Sequence, residues 1–110
     1  MTIKYNGKEI TLKFSFRADM LFENITEHSF NGTSETDWIT YFFCTVLAIT
    51  RDDDMNFDDF VDWLSDNQYL LMDFVRWYTQ IQETATKVQR NLPTDESSDN
   101  VKSKKAKTRK

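Results

Sequence analysis

The sequence predicts a mainly helical α+β domain, in which an N-terminal β-hairpin is followed by about four helices and a disordered C-terminal tail. Three observations favour this fold class. The chain of 110 residues has only 2 glycines and 1 proline, too few for a many-turned β-sandwich or barrel. Apolar and polar residues alternate near the start, whereas apolar residues recur at helical spacing from Arg17 onward. The segment after Pro93 is almost entirely polar and charged.

The predicted domain spans residues 1–92, and residues 93–110 are its predicted disordered charged tail. Val101 is the only apolar side chain larger than alanine in that tail, so burial cannot offset the entropy of ordering it. Residues 1–92 carry 8 Lys and Arg against 15 Asp and Glu, a charge of −7; the tail carries 6 against 3, a charge of +3. The acidic body should repel nucleic acid, while the tail could attract polyanions weakly.

The first segment, IKYNGKEITLKFSF, predicts a β-hairpin that turns at Asn6-Gly7, because this dipeptide is the strongest short signal for a tight turn. Alternate residues of the second strand are apolar and are expected to share one face: Ile10, Leu12, Phe14 and Phe16. Two strands alone are only marginally stable, so we expect this face to lie against helices.

Two helices are predicted in the next part of the chain. The first runs from Arg17 to about His28, with Asp19 on a solvated face and an apolar face formed by Ala18, Leu21, Phe22 and Ile25. Ser34 and Asp37 resemble a capping pair at the start of the second helix. The second helix is expected at the centre of the domain because its apolar surface is so broad, comprising Trp38, Ile39, Phe42, Phe43, Val46 and Leu47.

The segment RDDDMNFDDFVDWL is dense in aspartate, which raises the question of a calcium site. Asp52, Asp54 and Asn56 fit the first three ligand positions of a helix-bordered calcium loop. Phe57 stands where that loop needs glycine, however, and Trp63 stands where it needs a bidentate glutamate. The segment is therefore interpreted as a loop and a third helix capped by Asn56, with an apolar face of Phe57, Phe60, Val61 and Leu64.

A fourth helix is predicted after Asn67, in the segment QYLLMDFVRWYTQIQETATKVQRNL, and Pro93 is expected to end it. Its apolar stripe comprises Leu70, Phe74, Trp77 and Ile81, widened by Leu71 and Tyr78. Core packing is one interpretation of this stripe. Past Ile81 the pattern thins, so that end is expected to project from the body or to await a partner.

Catalytic signatures are sparse in the sequence. Cys44 is the only cysteine, within an apolar segment that indicates a buried structural thiol, and His28 is the only histidine, at an expected helix end where a cation suits the dipole. Gly7 and Gly32 belong to turns, so no phosphate-binding loop can form. No catalytic, metal-binding or cofactor-binding residue is predicted, and no enzyme is expected. The absence of a signal segment or membrane-spanning apolar run favours the cytoplasm.

The order of features resembles a known family. The hairpin IKYNGKEITLKFSFRA precedes LFENITEHSF, an aromatic-rich helix, DDFVDWLSDN, an amphipathic helix and a polar charged tail. Over residues 2–82 this order is similar to the small tail assembly chaperones of long-tailed, siphovirus-like bacteriophages. The resemblance implies a helix-rich, non-enzymatic protein of the bacterial host cytoplasm, absent from the mature virion. It would coat the tape measure protein and keep that client soluble while tail tube subunits assemble, with the tail tube protein and self-association as further contacts.

On this resemblance, Trp77, Tyr78 and Ile81 are the expected partner-binding residues, because a helical client needs exposed apolar grooves. The alternative is that the same three residues belong to the core. Two other function classes stay open: a regulatory or nucleic-acid-binding module that uses the basic tail as an electrostatic arm, and a structural tail component retained in the virion. The acidic body disfavours nucleic acid, and no small-molecule substrate or membrane partner is expected.

Overall fold

A computed structural model describes residues 1–91, with side chains described as far as residue 85. Its elements follow the order β1 (Thr2–Tyr5), β2 (Lys8–Thr11), α1 (Phe16–Thr26), α2 (Glu35–Thr50), α3 (Phe57–Ser65) and α4 (Tyr69–Asn91). The predicted class, mainly helical with an N-terminal hairpin and four helices, is confirmed. The predicted end of the fourth helix at Pro93 and the predicted tail, residues 93–110, lie outside the described residues.

The hairpin is built as predicted around Asn6-Gly7. Both residues have positive φ, 52° and 75°, the conformation of the tight turns that join antiparallel strands. β1 and β2 pair antiparallel, with Ile3 opposite Ile10. Both isoleucines are buried, and Tyr5 is buried beside Trp63 of α3 at 5.0 Å between ring centroids. The apolar face of the hairpin therefore packs on the helices.

The predicted apolar face of the second strand is wrong in its last two members. β2 ends at Thr11, and Phe14 and Phe16 are 37% and 77% exposed. The reason is a local helix signal: the Ser15 hydroxyl accepts a hydrogen bond of 3.2 Å from the Ala18 N–H, so α1 begins at Phe16. The N-cap signal and the strand alternation overlap here, and the N-cap determines the backbone conformation.

α1 ends earlier than predicted. Glu27 takes the left-handed conformation, with φ 63°, and its N–H donates to the Glu23 carbonyl at 2.8 Å, so the helix stops at Thr26 and not at His28. Ala18 and Phe22 are buried, as predicted. Ile25 is 53% exposed, contrary to prediction, and it stands in the last turn of the helix, just before the chain leaves it at Glu27.

α2 is the central helix, in contact with α1, α3, α4 and β2, and its predicted place is confirmed. Ser34 caps it, accepting a hydrogen bond of 3.1 Å from the Asp37 N–H. Every residue from Thr40 to Val46 is buried, so α2 is enclosed on all sides for two turns. The buried Thr45 hydroxyl is satisfied within the helix, by donating to the Tyr41 carbonyl at 2.8 Å.

α3 begins as predicted. The Asn56 side chain accepts a hydrogen bond of 3.1 Å from the Asp59 N–H, which caps the helix. Phe60 and Leu64 are buried against the core. The exposed face of the helix carries Asp58, Asp59 and Asp62, and the exposed Asp66 follows as its C-cap. Asp58 and Asp59 stand in the first turn, where a carboxylate interacts favourably with the positive end of the helix dipole. The density of aspartate thus has a structural role at the start of α3.

Candidate functional site

The three predicted partner-binding residues lie on α4 in two different environments. Tyr78 is half-buried among rings of other elements, with centroids 5.2 Å from Tyr41, 5.5 Å from Phe30 and 5.6 Å from Trp38. We call these four residues the aromatic cluster. It joins α2 and α4 to the loop between α1 and α2, so most of the Tyr78 ring contributes to packing.

Tyr41 is the centre of the aromatic cluster, and it was not among the residues that sequence patterns singled out. Its ring stacks on Phe30 at 4.3 Å with an interplanar angle of 13°. Its hydroxyl donates a hydrogen bond of 2.6 Å to Asp19 Oδ1. The prediction that Asp19 belongs to a solvated face is therefore wrong, since its carboxylate satisfies a buried hydroxyl. Burial, helped by Asp19 and Tyr78, raises the pKa of Tyr41 far above its usual value.

Trp77 and Ile81 lie on a different part of α4. Trp77 is half-buried and touches the core through Phe74, with 5.7 Å between ring centroids. A shallow apolar groove of about 450 Å³ follows along the helix. We call it the distal face, and among the described side chains it is lined by residues of α4 alone: Trp77, Gln80, Ile81, Thr84 and Ala85. Trp77 and Ile81 are partly buried and the other three residues are exposed, so this face is partly open to solvent.

A second groove, of about 530 Å³, lies where α3 and α4 meet the start of α2. We call it the α3–α4 groove, lined by Glu35, Ile39, Val61, Leu64, Ser65, Gln68, Tyr69, Leu71 and Met72. Tyr69 and Met72 stand at its edge and are 66% and 60% exposed. Sequence patterns missed this groove. The available signal was that Tyr69 and Met72 are large apolar residues outside the stripe of the fourth helix.

The two side chains that could take part in catalysis, His28 and Cys44, are held in structural contacts. His28 Nε2 lies 3.0 Å from Asp37 Oδ2 and Nδ1 lies 3.2 Å from the Thr26 carbonyl, so His28 joins the end of α1 to the start of α2. The Asp37 contact raises the pKa of His28. Cys44 is buried, as predicted, and burial raises the pKa of its thiol to about 12. The thiol is therefore protonated at neutral pH.

The aspartate-rich loop contains a self-contained turn, in which Asp52 Oδ1 accepts a hydrogen bond of 3.0 Å from the Asp54 N–H. Within residues 1–91, no group of three His, Cys, Asp or Glu side chains is placed to hold a metal ion. The same part of the chain contains no helix both long enough and apolar enough to cross a membrane.

Comparisons with models of protein families, with curated proteins and with solved structures found no match for this chain. Function is therefore inferred from the surfaces of the domain itself. Two apolar surfaces are candidates, the distal face of α4 and the α3–α4 groove. The charge around each of them helps to define the kind of partner that fits.

Proposed function

We propose that the protein is a tail assembly chaperone of a long-tailed bacteriophage, which binds the tape measure protein through apolar surfaces and keeps it soluble during tail tube assembly. The protein acts in the cytoplasm of the bacterial host and is absent from the mature virion. The order of hairpin, aromatic-rich helix, acidic third helix and long amphipathic helix supports this proposal through its resemblance to that family.

The observation that carries the proposal is the distal face of α4. Trp77, Ile81 and Ala85 follow one another at intervals of four residues, so they align along one side of the helix. Among the described side chains, the groove that they line has no residue from another element; Ala85 is exposed, and Trp77 and Ile81 are partly exposed. A long helical client with its own apolar stripe can pair with such a face by helix-to-helix packing. The large Trp77 ring, which packs against Phe74 at 5.7 Å between ring centroids, is suited to be the main contact.

The charge of the domain favours a protein client over nucleic acid. α3 and its C-cap present Asp58, Asp59, Asp62 and Asp66 to solvent, and these carboxylates repel a phosphate backbone. They also repel other copies of the same domain, which keeps an aromatic-rich protein soluble while one apolar face is free. A binding module with an open apolar face and an acidic exterior is what a chaperone for an aggregation-prone helical client requires.

Co-expression with the tape measure protein of the same phage tests the proposal. We expect the client to stay soluble and to co-purify at about 0.5 M salt. At that concentration the electrostatic screening length is much shorter than the ~10 Å of 0.1 M salt, and apolar pairing does not depend on it. Trp77→Asp and Ile81→Asp should abolish co-purification, because a charge is not tolerated in a dry interface. Thr79→Asp, an exposed position of the same helix outside the distal face, is the matched control and should retain it.

Circular dichroism must show that the Trp77→Asp and Ile81→Asp proteins keep the helical content of the wild type. If both unfold, the stripe is core and the assignment of these residues is wrong. If the wild type leaves the client insoluble and binds duplex DNA at low salt, the nucleic-acid alternative replaces the chaperone proposal. Detection of the protein in purified phage particles would instead make it a structural component of the tail.

A further inference from the structure

The α3–α4 groove combines an apolar floor with large exposed side chains at its edge. Its floor is formed by Ile39 of α2, Leu64 of α3 and Leu71 of α4. Tyr69 and Met72 rise beside it with well over half of their surfaces in solvent. Single exposed apolar residues are common on proteins, but two at the edge of one apolar groove mark a contact surface. Both are adaptable at contacts, since methionine is flexible and tyrosine has a polar tip.

We call Glu35 and the neighbouring exposed carboxylates of the α3 segment the acidic rim of this groove, and their charge is not neutralised by the described side chains. Glu35 lines the groove itself. On α3, the exposed Asp58 and Asp62 each stand three residues before a lining residue, Val61 and Ser65, and the exposed C-cap residue Asp66 directly follows Ser65. Within the described part of the chain, the ion pairs are His28–Asp37 and Arg76–Asp73, so none of these four carboxylates has a cationic partner there. Arg76, one turn after Met72, is occupied by Asp73 at 3.1 Å.

We propose that the α3–α4 groove binds an amphipathic helix of a partner protein whose apolar face is flanked by lysine or arginine. The apolar residues of that helix pack on Leu64, Leu71 and Met72, and its basic flank meets Glu35 and the carboxylates of α3. Apolar burial provides the affinity, and the charge pairing sets the orientation and rejects acidic competitors.

Three other possible occupants of the groove are disfavoured: a second copy of this domain, a phosphate-bearing ligand and the basic segment of this chain. A second copy of this domain would bring a second acidic surface to the same place, since residues 1–92 have a charge of −7. Phosphate groups of nucleic acids or of anionic lipids would meet the same repulsion. The basic segment of this chain, VKSKKAKTRK, has only Val101 as an apolar residue larger than alanine and cannot fill an apolar floor. A basic helix with an apolar face matches both the apolar floor and the acidic rim of the groove.

This groove is separate from the surface on which the chaperone proposal depends. Met72 and Ile81 are nine residues apart on α4, about two and a half turns, so they project from opposite sides of the helix. A partner in the α3–α4 groove and a client on the distal face can therefore be tested with different variants. The groove inference does not rest on the proposed function, and either can fail alone.

Binding of synthetic peptides to the full chain tests the inference. The probe is a fluorescein-labelled amphipathic helix of leucine and lysine. The first comparison peptide has the same leucines with glutamate in place of lysine, and the second has the same leucine and lysine composition in scrambled order. By fluorescence anisotropy, we expect saturable binding of the leucine–lysine probe and much weaker binding of the two comparison peptides. Equal binding of the glutamate peptide would overturn the role of the acidic rim, and equal binding of the scrambled peptide would overturn the role of the groove.

Two methionine variants locate the binding site. Met72→Lys places a cation beside the groove, and we expect it to weaken binding of the leucine–lysine peptide by about tenfold. Met20→Lys is the matched control, because Met20 is 63% exposed on α1 and the substitution changes the net charge equally. It should leave the affinity close to that of the wild type. Equal losses in the two variants would show non-specific charge attraction and overturn the inference.

Methyl resonances give an independent location of the bound peptide. Binding in the groove should shift the methyl signals of Val61, Leu64 and Met72 and leave that of Ile81 unchanged. A shift confined to Ile81 would place the peptide on the distal face and overturn the inference. Because Met72 is mostly exposed, Met72→Lys should unfold at the temperature of the wild type, which thermal denaturation by circular dichroism checks.

Discussion

The hydroxyl of Tyr41 donates a hydrogen bond of 2.6 Å to the carboxylate of Asp19, which joins the enclosed centre of α2 to α1. Only 1% of Tyr41 is exposed, so this hydroxyl needs a protein partner. Asp19 is half-buried and provides it. The contact fixes how α1 lies against α2, and with it the position of the aromatic cluster that holds α4.

Loss of this hydrogen bond should be measurable. Tyr41→Phe keeps the ring stacked on Phe30 but leaves the half-buried Asp19 carboxylate without its donor, and we expect a loss of about 1.5–3 kcal/mol in the free energy of unfolding. Urea denaturation of both proteins gives the value. Tyr69→Phe, at an exposed position, is the control and should change the stability very little. An unchanged midpoint for Tyr41→Phe would show that water replaces the hydroxyl at no cost.

The same tyrosine predicts how stability depends on alkaline pH. Burial raises the pKa of Tyr41 in the folded state above its usual value of 10.0. A group whose pKa is raised by folding contributes stability below its unfolded pKa, and that contribution is lost as pH rises beyond it. The free energy of unfolding should therefore fall above about pH 10, and fall less steeply in Tyr41→Phe. Parallel profiles of the two proteins from neutral to alkaline pH would contradict this.

Two glycines allow a backbone effect to be separated from a packing effect. Gly7 and Gly32 have nearly equal positive φ values, 75° and 73°, but a methyl group at Gly7 would meet nothing within 4 Å, whereas at Gly32 it would lie 3.2 Å from Cζ2 of Trp38. The indole Nε1 of Trp38 also donates to the Gly32 carbonyl at 3.2 Å. Gly7→Ala should cost about 1–2 kcal/mol from the left-handed conformation alone, and Gly32→Ala should cost more. Equal losses in urea denaturation would mean that Trp38 moves aside freely.

Local signals in the sequence predicted the elements well. Asn6-Gly7 marked the hairpin turn, and Ser34 and Asn56 marked the starts of α2 and α3, because each feature depends on residues within three positions along the chain. Phe14 and Phe16 were misplaced for a related reason. Two local signals overlapped there, strand alternation and the Ser15 cap, and periodicity alone does not rank them.

Contacts between distant residues could not be predicted in the same way. Asp19 and Tyr41 are 22 positions apart, and their pairing depends on the packing angle of α1 on α2. The α3–α4 groove likewise exists only because α4 packs on α2 and leaves Tyr69 and Met72 outside the core. Amphipathic periodicity identified the stripe of α4, but it does not tell which part of a stripe finds a covering element.

The cap of α3 gives a further stability prediction. Asn56→Ala removes the side-chain acceptor of the Asp59 N–H, and we expect a loss of about 1 kcal/mol. Asn24→Ala, at an exposed position within α1, is the control and should be neutral or slightly stabilising, since alanine favours helix. Thermal denaturation of the two variants distinguishes them. Equal effects would show that water satisfies the first turn of α3 as well as Asn56 does.

Tyr78 in the aromatic cluster and Ile81 on the distal face should respond differently to an introduced charge. Tyr78→Asp places a carboxylate among Phe30, Trp38 and Tyr41 and should cost about 3 kcal/mol or more, because that charge has no partner in the aromatic cluster. Ile81→Asp lies in a groove that α4 alone lines among the described residues, and should cost about 1 kcal/mol or less.

Urea denaturation of the two aspartate variants decides which predicted partner-binding residues are free to meet a client. Trp77→Asp should fall between them, because Trp77 is partly buried and its ring packs against the core at Phe74. If Ile81→Asp is as damaging as Tyr78→Asp, the distal face is covered in the folded protein, and a client cannot bind there. If Ile81→Asp is nearly neutral and still abolishes co-purification of the tape measure protein, the loss belongs to the interface and not to folding.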